Sequence, residues 1–376
     1  LQIRDQLDVL DHQITELYKQ RMDLCEKVAE YKIETGKAVF DPVREEQKLD
    51  TVQSYLDTDF DRKAIRELYQ QMMTISRRRQ FGILSAHGKT FHADFEKLDA
   101  IPKRGKRVVY QGVEGAYAHL AARQCFGTET ALRHVKTWKD AMDEVVEGEA
   151  DYAVLPIENS SHGAVSDIFD LLVRYPALAI VEEVDLHVAH ALMSVAGASM
   201  DGLKRIYSHP QALGQCAAFL EAHPDIEAVP VLNTAVAAAY VRDHQDPSIA
   251  ALASELSAEL YGLTILERSV NQEKSNTTRF IVLGRERVYT ADAEKISICF
   301  ETAHKPGALY NALGNFIFND VNMLMIQSRP IPEKPFEYRF FIDLEGNLSM
   351  PNVINALAGL EDQITSLRIL GNYGKE

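Results

Sequence analysis

Ile3, Leu7, Leu10, Ile14, Leu17, Leu24, Val28 and Tyr31 recur at steps of three and four. That spacing predicts one long helix over residues 1–36 with a coiled-coil-like apolar seam. No proline interrupts it, and Gly36 supplies a stop. At ~1.5 Å per residue the helix would extend about 50 Å, too long for a small domain to cover alone. It needs a partner along its length, most simply a second copy of itself. Asp41-Pro42 opens a second helix, with Asp41 as N-cap and Pro42 in the first turn. A third helix runs from about Phe60 to Leu84. Residues 1–84 are thus expected to be all-α.

The pattern then changes twice. Residues 85–105 hold Gly88, Pro102 and Gly105 without strong periodicity and read as a linker. From Lys106 short apolar runs alternate with helical stretches: Arg107–Tyr110, Ala150–Pro156, Ala179–Val184, Leu203–Tyr207. That is an α/β pattern over 106–284. From Lys295 the order is strand, helix, strand, strand, helix, strand, a ferredoxin-like α+β unit over 295–371. The expected molecule is multidomain.

Charge sharpens this division. The formal net charge is −15. Residues 1–90 hold 15 basic and 16 acidic side chains, residues 106–285 hold 14 and 24, and residues 286–376 hold 8 and 12. Acidity concentrates in the α/β segment, which argues against a nucleic-acid partner. Cys25, Cys125, Cys216 and Cys299 are scattered, without metal spacing or a disulfide frame, and fit a reducing, cytoplasmic setting. No apolar run approaches the ~20 residues of a membrane span.

Candidate chemistry begins at Arg21. Stepping four residues from Leu17 reaches it, and three more reach Leu24. A cation at such a position needs an anion. Lys32 lies 11 residues on, about 1100° of rotation and so about 20° past three full turns, which puts it on the same face. Ser76 and Gln80 form an i, i+4 polar pair on the third helix. Either Arg21 pairs with an internal carboxylate such as Glu45, or these residues form a cationic pocket for a small dianion.

In the α/β segment, polar clusters follow apolar strands. They are Gln111-Gly112-Val113-Glu114-Gly115, then Glu158-Asn159-Ser160-Ser161-His162-Gly163, then Ser208-His209-Pro210-Gln211 with Gln215, and Asn276-Thr277-Thr278-Arg279 before a strand Phe280–Leu283. Singly, each reads as a cap or turn. Together they put neutral donors and one Arg at strand ends, where open α/β sheets bind ligands. Neither GxGxxG nor a P-loop is present, and His119, His162 and His209 lack metal spacing.

Arg4, Arg21, Lys32, Asp41-Pro42-Val43-Arg44-Glu45, Ser76 and Gln80 resemble the all-helical chorismate mutases over residues 1–84. The resemblance implies an intertwined helical dimer that rearranges chorismate to prephenate. Arg21 and Arg44 would meet the substrate carboxylates, with Arg4 from the partner chain. Lys32 and Gln80 would bond the ether oxygen, and Glu45 the ring hydroxyl, with Asp41 and Ser76 assisting. Arg4 lies about 100° off the face of Arg21, consistent with donation in trans. A pericyclic rearrangement needs no nucleophile, only a compact conformer and stabilised charge.

Thr277-Thr278-Arg279-Phe280, Asn159-Ser160-Ser161 and Ser208-His209-Pro210-Gln211-Ala212-Leu213 resemble prephenate dehydratase over about 106–284. The resemblance implies two α/β lobes around a cleft and conversion of prephenate to phenylpyruvate. Thr278 would be the proton donor to the departing hydroxide. Arg279 would face the carboxylates, and Asn159, Ser160, Ser161, Ser208 and Gln215 would position the substrate. Gly115-Ala116-Tyr117-Ala118 stands where the family usually has two hydroxyl residues.

Residues 295–371 resemble an ACT regulatory domain through Pro306-Gly307-Ala308-Leu309, Gln327-Ser328-Arg329-Pro330 and Tyr338-Arg339-Phe340-Phe341. The resemblance implies L-phenylalanine as effector, near Gly307, Ala308, Leu309, Gln327, Ser328, Arg329 and Pro330. Gln327 replaces the usual Glu. The combined expectation is a bifunctional, phenylalanine-regulated enzyme, a homodimer or higher oligomer, without cofactor or metal. The alternative is a two-lobed small-molecule-binding module with a helical dimeriser.

Overall fold

In a computed structural model of the chain, residues 2–88, 91–332 and 334–375 are described. Three helices come first: α1 (Gln2–Thr35), α2 (Pro42–Gln53) and α3 (Asp59–Ala86). Then follow β1 (Glu96–Leu98), β2 (Arg107–Gln111), α4 (Tyr117–Phe126), β3 (Ala131–Val135), α5 (Trp138–Glu147), β4 (Tyr152–Asn159), β5 (Gly163–Ala164), α6 (Ser166–Arg174) and β6 (Ala179–His187). Next are β7 (Ala191–Ser194), β8 (Arg205–Ser208), α7 (Pro210–Gln215), α8 (Ala217–Glu221), β9 (Glu227–Pro230), α9 (Thr234–His244), β10 (Ile249–Ala253), α10 (Glu255–Tyr261) and β11 (Thr264–Glu267). The chain ends with β12 (Thr277–Gly284), β13 (Val288–Thr290), β14 (Lys295–Glu301), α11 (Ala308–Ile317), β15 (Met323–Ile331), β16 (Lys334–Glu345), α12 (Pro351–Glu361) and β17 (Ser366–Tyr373). Among the described residues no helix is long and apolar enough to cross a membrane.

Two compact units emerge. One joins the chain up to Ala93 with Ile298–Arg368, and the other joins Asp94–Ser297 with the chain from Ile369. In the first unit, local chemistry sets the helix ends. Gly36 has φ +70°, and its N–H bonds the Lys32 carbonyl at 2.9 Å. The Asp41 carboxylate accepts the Arg44 N–H at 3.0 Å, and Thr58 accepts the Asp61 N–H at 3.1 Å. Both α1 and α2 pack on α3, burying Met22, Ala29, Leu49, Val52 and Met73. The α1 face that meets α3 is therefore not the apolar seam. Ile3 and Leu17 are 74% and 64% exposed, and Leu7, Leu10, Ile14, Leu24, Val28 and Tyr31 are exposed with them.

The same unit contains α12, which packs on both α3 and α11, and the antiparallel pair β15–β16. Phe316, Phe300, Phe341 and Leu357 fill the interior here. Close approach depends on missing side chains: a Cβ on Gly359 would sit 2.5 Å from Asn315 Oδ1.

The second unit holds two large sheets beside the small β1–β13 pair. One runs β17-β6-β12-β4-β2-β3, with β5 on β4, and the other runs β11-β7-β10-β8-β9. The parallel pairs β2–β3 and β2–β4 sit beside β12, which is antiparallel to both β4 and β6. Each sheet has its own apolar core: one centres on Tyr110, Tyr152 and Val282, the other on Met193, Tyr207 and Leu252. The chain passes between the sheets twice, from β6 to β7 and from β11 to β12.

Three boundaries differ from expectation. The 85–105 segment begins inside α3 and contains β1, which pairs with β13. Thr277–Arg279 lie within β12 rather than before it, because the ladder with β6 holds all three and that with β4 begins at Thr278. Ser160-Ser161 sit in the β4–β5 turn, and the next helix starts only at Ser166.

Candidate active sites

The cation pocket of the first unit lies where α1 meets α3. Arg21 Nη1 donates to Ser76 Oγ at 2.6 Å. Lys32 Nζ donates to Gln80 Oε1 at 3.0 Å and to the Val39 carbonyl at 2.7 Å. Ser76 and Gln80 are buried, as their shared helical face requires. Burial lowers the Lys32 pKa, while Glu45, Asp41 and Asp362 act against that shift. Pairing of Arg21 with Glu45 does not occur. Arg77 holds Glu45 instead, through bonds from Nη1 to both carboxylate oxygens. Arg77 is only 7% exposed and lies over the Phe40 ring at 5.0 Å. No sequence signal marked Arg77, although it adjoins Ser76 and a half-buried Glu45 needs a cation. Arg4 and Arg44 are exposed. The Asp41 carboxylate is engaged in capping α2.

The second unit has a cleft of about 430 Å³, lined by residues of both sheets and their helices. Asn159 and Thr278 lie together in its wall, since β4 and β12 pair there. Asn159 Nδ2 donates to Thr278 Oγ1 at 2.9 Å and to Asn276 Oδ1 at 2.8 Å. The Thr278 hydroxyl proton thus remains available to an acceptor in the cleft. Gln215, at the end of α7, lines the opposite side. Ala116 and Ala118 also line the cleft, so the missing hydroxyls fall inside it. The Trp138 indole N–H is buried without a protein acceptor in the same wall.

Four expected residues sit elsewhere. Side chains alternate along a strand. With Thr278 facing the cleft, Arg279 does not line it, and its guanidinium lies 3.3 Å from Glu158 and 3.6 Å from Glu183. Ser208 is fully buried and donates to the Leu252 carbonyl at 2.6 Å, bracing β8 to β10. Ser160 Oγ accepts the Thr277 N–H at 3.0 Å, pinning the turn. Ser161 faces a neighbouring pocket with His162, Asn276 and Glu273, and donates to Glu273 at 2.8 Å. Of the three histidines, only His209 lines the cleft, while His119 is stacked on Tyr110 at 5.0 Å.

The sequence signal missed His190. It is buried, and its Nε2 lies 2.8 Å from Gln215 Oε1 and its Nδ1 2.8 Å from the Tyr117 hydroxyl. Burial lowers its pKa, against the bond to Gln215, and raises that of Tyr117. Asn271 Oδ1 accepts the His190 backbone N–H at 3.1 Å. His190 follows β6 by three residues, in a stretch without turn or motif signal.

In the C-terminal segment, Gly307 has φ +77° and precedes the first turn of α11, formed by Ala308 and Leu309. Gln327 and Arg329 alternate with Ser328 and Pro330 along β15, so the four cannot share one face. Gln327 Nε2 donates to the Ser328 carbonyl at 3.2 Å.

Residues 3–81 match the model of chorismate mutase type II, and residues 108–288 that of prephenate dehydratase. The bifunctional chorismate mutase/prephenate dehydratase of Escherichia coli K12 is 32% identical, covering all of this chain and 96% of that one. Prephenate dehydratase from Arthrobacter aurescens, solved with L-Phe, is 30% identical with a TM-score of 0.66, over 71% of this chain and 89% of that one. A structure described as a quorum-quenching acylase is 32% identical with a TM-score of 0.67, over 72% of this chain and 98% of that one. This chain therefore belongs to the bifunctional chorismate mutase/prephenate dehydratase family.

Proposed function

We propose the following division of labour for the two activities. In the helical segment, Arg21 and Arg44 hold the chorismate carboxylates, Arg4 reaches in from a second copy, and Lys32 and Gln80 meet the ether oxygen. Glu45 accepts the ring hydroxyl, and Ser76 and Asp41 keep Arg21 and Arg44 in place. The exposed seam of α1 supports a homodimer, because a ridge of eight large apolar side chains is costly to leave in water. The Arg21–Ser76 and Lys32–Gln80 bonds support the pocket, since both cations are held by neutral groups and keep charge for a ligand.

In the cleft, prephenate loses carbon dioxide while its ring hydroxide leaves. Thr278 gives that group a proton, so water departs and phenylpyruvate remains. The bond from Asn159 to Thr278 Oγ1 carries this reading, because it aims the hydroxyl proton away from Asn159. Gln215 positions the substrate, while Ser160, Ser161 and Ser208 act indirectly by shaping the walls. Arg279 is assigned to the Glu158–Glu183 cluster, a structural role.

The division into 1–84, 106–284 and 295–371, joined at 85–105, is supported for its first two parts by the matched ranges 3–81 and 108–288. The βαββαβ order of the last segment supports an ACT-type regulatory unit, with the first turn of α11 receiving the phenylalanine carboxylate. Four free cysteines support a cytoplasmic setting.

Two variants test the assignment with chorismate and prephenate supplied separately. Arg21→Ala should abolish the mutase step by a factor of about 100 or more while sparing the dehydratase. Thr278→Ala should do the reverse, by about 100-fold in kcat. A normal dehydratase rate in Thr278→Ala removes it from the mechanism. L-phenylalanine should lower the dehydratase rate of the parent chain, and a flat titration leaves the last segment without a sensing role.

A further inference from the structure

Arg77 is fixed at both ends. One end of the guanidinium grips Glu45. At the other, Nη2 donates to Thr74 Oγ1 at 2.9 Å. The remaining partner comes from the C-terminal segment, nearly three hundred residues on. When the Gln363 amide is oriented with its oxygen toward donors, that oxygen accepts from Arg77 Nη2 at 3.1 Å. The Gln363 nitrogen then donates to the Asn311 carbonyl, also at 3.1 Å, one turn into α11. Gln363 stands just past the end of α12, beside Asp362, whose carboxyl interacts with Lys32, Arg77 and Glu45.

The seating is firm. Phe81 of α3 lies against Gly359 of α12, Gly82 lies near Asn355, Gly359 admits Asn315 of α11, and Arg78 stacks over the Phe318 ring at 3.4 Å. Within one compact unit, the mutase helices and the α11–α12 layer share a polar relay from Asn311 to Gln363 to Arg77 to Glu45.

We propose that Arg77 and Gln363 are positioning residues for the mutase reaction, with Gln363 of the C-terminal segment holding Arg77, and through it Glu45, in the orientation that receives the substrate hydroxyl. The proposal rests on the assignment of Glu45 as the hydroxyl acceptor. A buried guanidinium N–H without an acceptor is costly, so loss of the Gln363 oxygen lets Arg77 turn toward another partner. Glu45 follows because its two oxygens are both tied to Nη1. The Glu45 carboxylate oxygens keep lone pairs to spare for one further donor.

The whole chain tests this through five variants, with dehydratase rate on prephenate and the melting midpoint as controls for folding. Gln363→Leu should lower mutase kcat by about tenfold, the loss of one charge-assisted bond, with the dehydratase rate kept. Gln363→Glu retains an acceptor oxygen and should stay close to the parent rate. In an Arg77→Met background, Gln363→Leu should cost nothing more, because its effect passes through Arg77. A normal mutase kcat in Gln363→Leu overturns the proposal, as does Gln363→Glu failing equally, or a full additional loss in the Arg77→Met background. Glu45→Ala separates the two readings. If it retains mutase activity, the Glu45 assignment falls and the relay with it; if it is inactive while Gln363→Leu is normal, only the relay falls.

Discussion

Single residues here take their roles from what surrounds them. Thr278 and Arg279 are neighbours in one motif, yet strand alternation sends one to the cleft and the other to Glu158 and Glu183. Their types were legible in the sequence, but their faces were not, because Thr278-Arg279 gave no sign of being paired on both sides. Asp362 is the sharpest electrostatic case. Burial raises its pKa to about 6, helped by Glu361 and Glu45 and opposed by Arg77 and Lys32. The folded state thus keeps a proton that the unfolded chain releases near pH 4, and stability falls as pH rises from about 4 to 6. The cost is fully present above that window. Asp362→Asn should therefore raise stability at pH 8 by about 1 kcal/mol, after discounting for partial solvent screening, and change little at pH 4. Melting midpoints at the two pH values check this; equal shifts at both would mean that Asp362 does not titrate there.

At the scale of elements, helix ends and periods were readable. Asp41-Pro42 caps α2 as its chemistry requires, and Gly36 stops α1. The seam of α1 was readable too, but not what covers it. Within one chain α3 takes a neighbouring stripe with Met22 and Ala29, and Arg21 and Lys32 lie at that interface. The seam itself stays exposed, and its proposed cover is a second copy. Leu10→Lys should give monomers by sedimentation and lose mutase activity with Arg4 withdrawn, while dehydratase activity persists. An unchanged oligomer would show that the exposed seam is not the interface. A buried lysine or arginine in that seam is expected to be much costlier than an exposed one.

Across the whole molecule, charge is divided unevenly. The α/β segment carries the largest acidic excess, 24 acidic against 14 basic side chains over 106–285, yet its substrate is an anion. Its cleft is lined by neutral donors, with Arg279 turned elsewhere. The long-range field therefore opposes prephenate, and salt should relieve it. Raising ionic strength from about 10 to 150 mM shortens the screening length from about 30 to 8 Å. We expect dehydratase kcat/KM to rise about twofold over that range, with less change in the mutase, whose segment is nearly neutral. A fall in dehydratase kcat/KM with salt would contradict this picture.

Local patterns alone determined the helical, α/β and α+β stretches, the caps, and some of the residues that gather in the two pockets, because period, capping and turn chemistry act over a few neighbours. Tertiary structure decided which of those residues face a ligand. It buried Ser208 behind a strand, turned Arg279 to carboxylates, placed His190 beside Gln215, and brought Gln363 to Arg77. These outcomes depend on strand pairing and helix seating between distant parts of the chain, where burial and the need to satisfy every buried polar group select the partner. No local spacing encodes that choice.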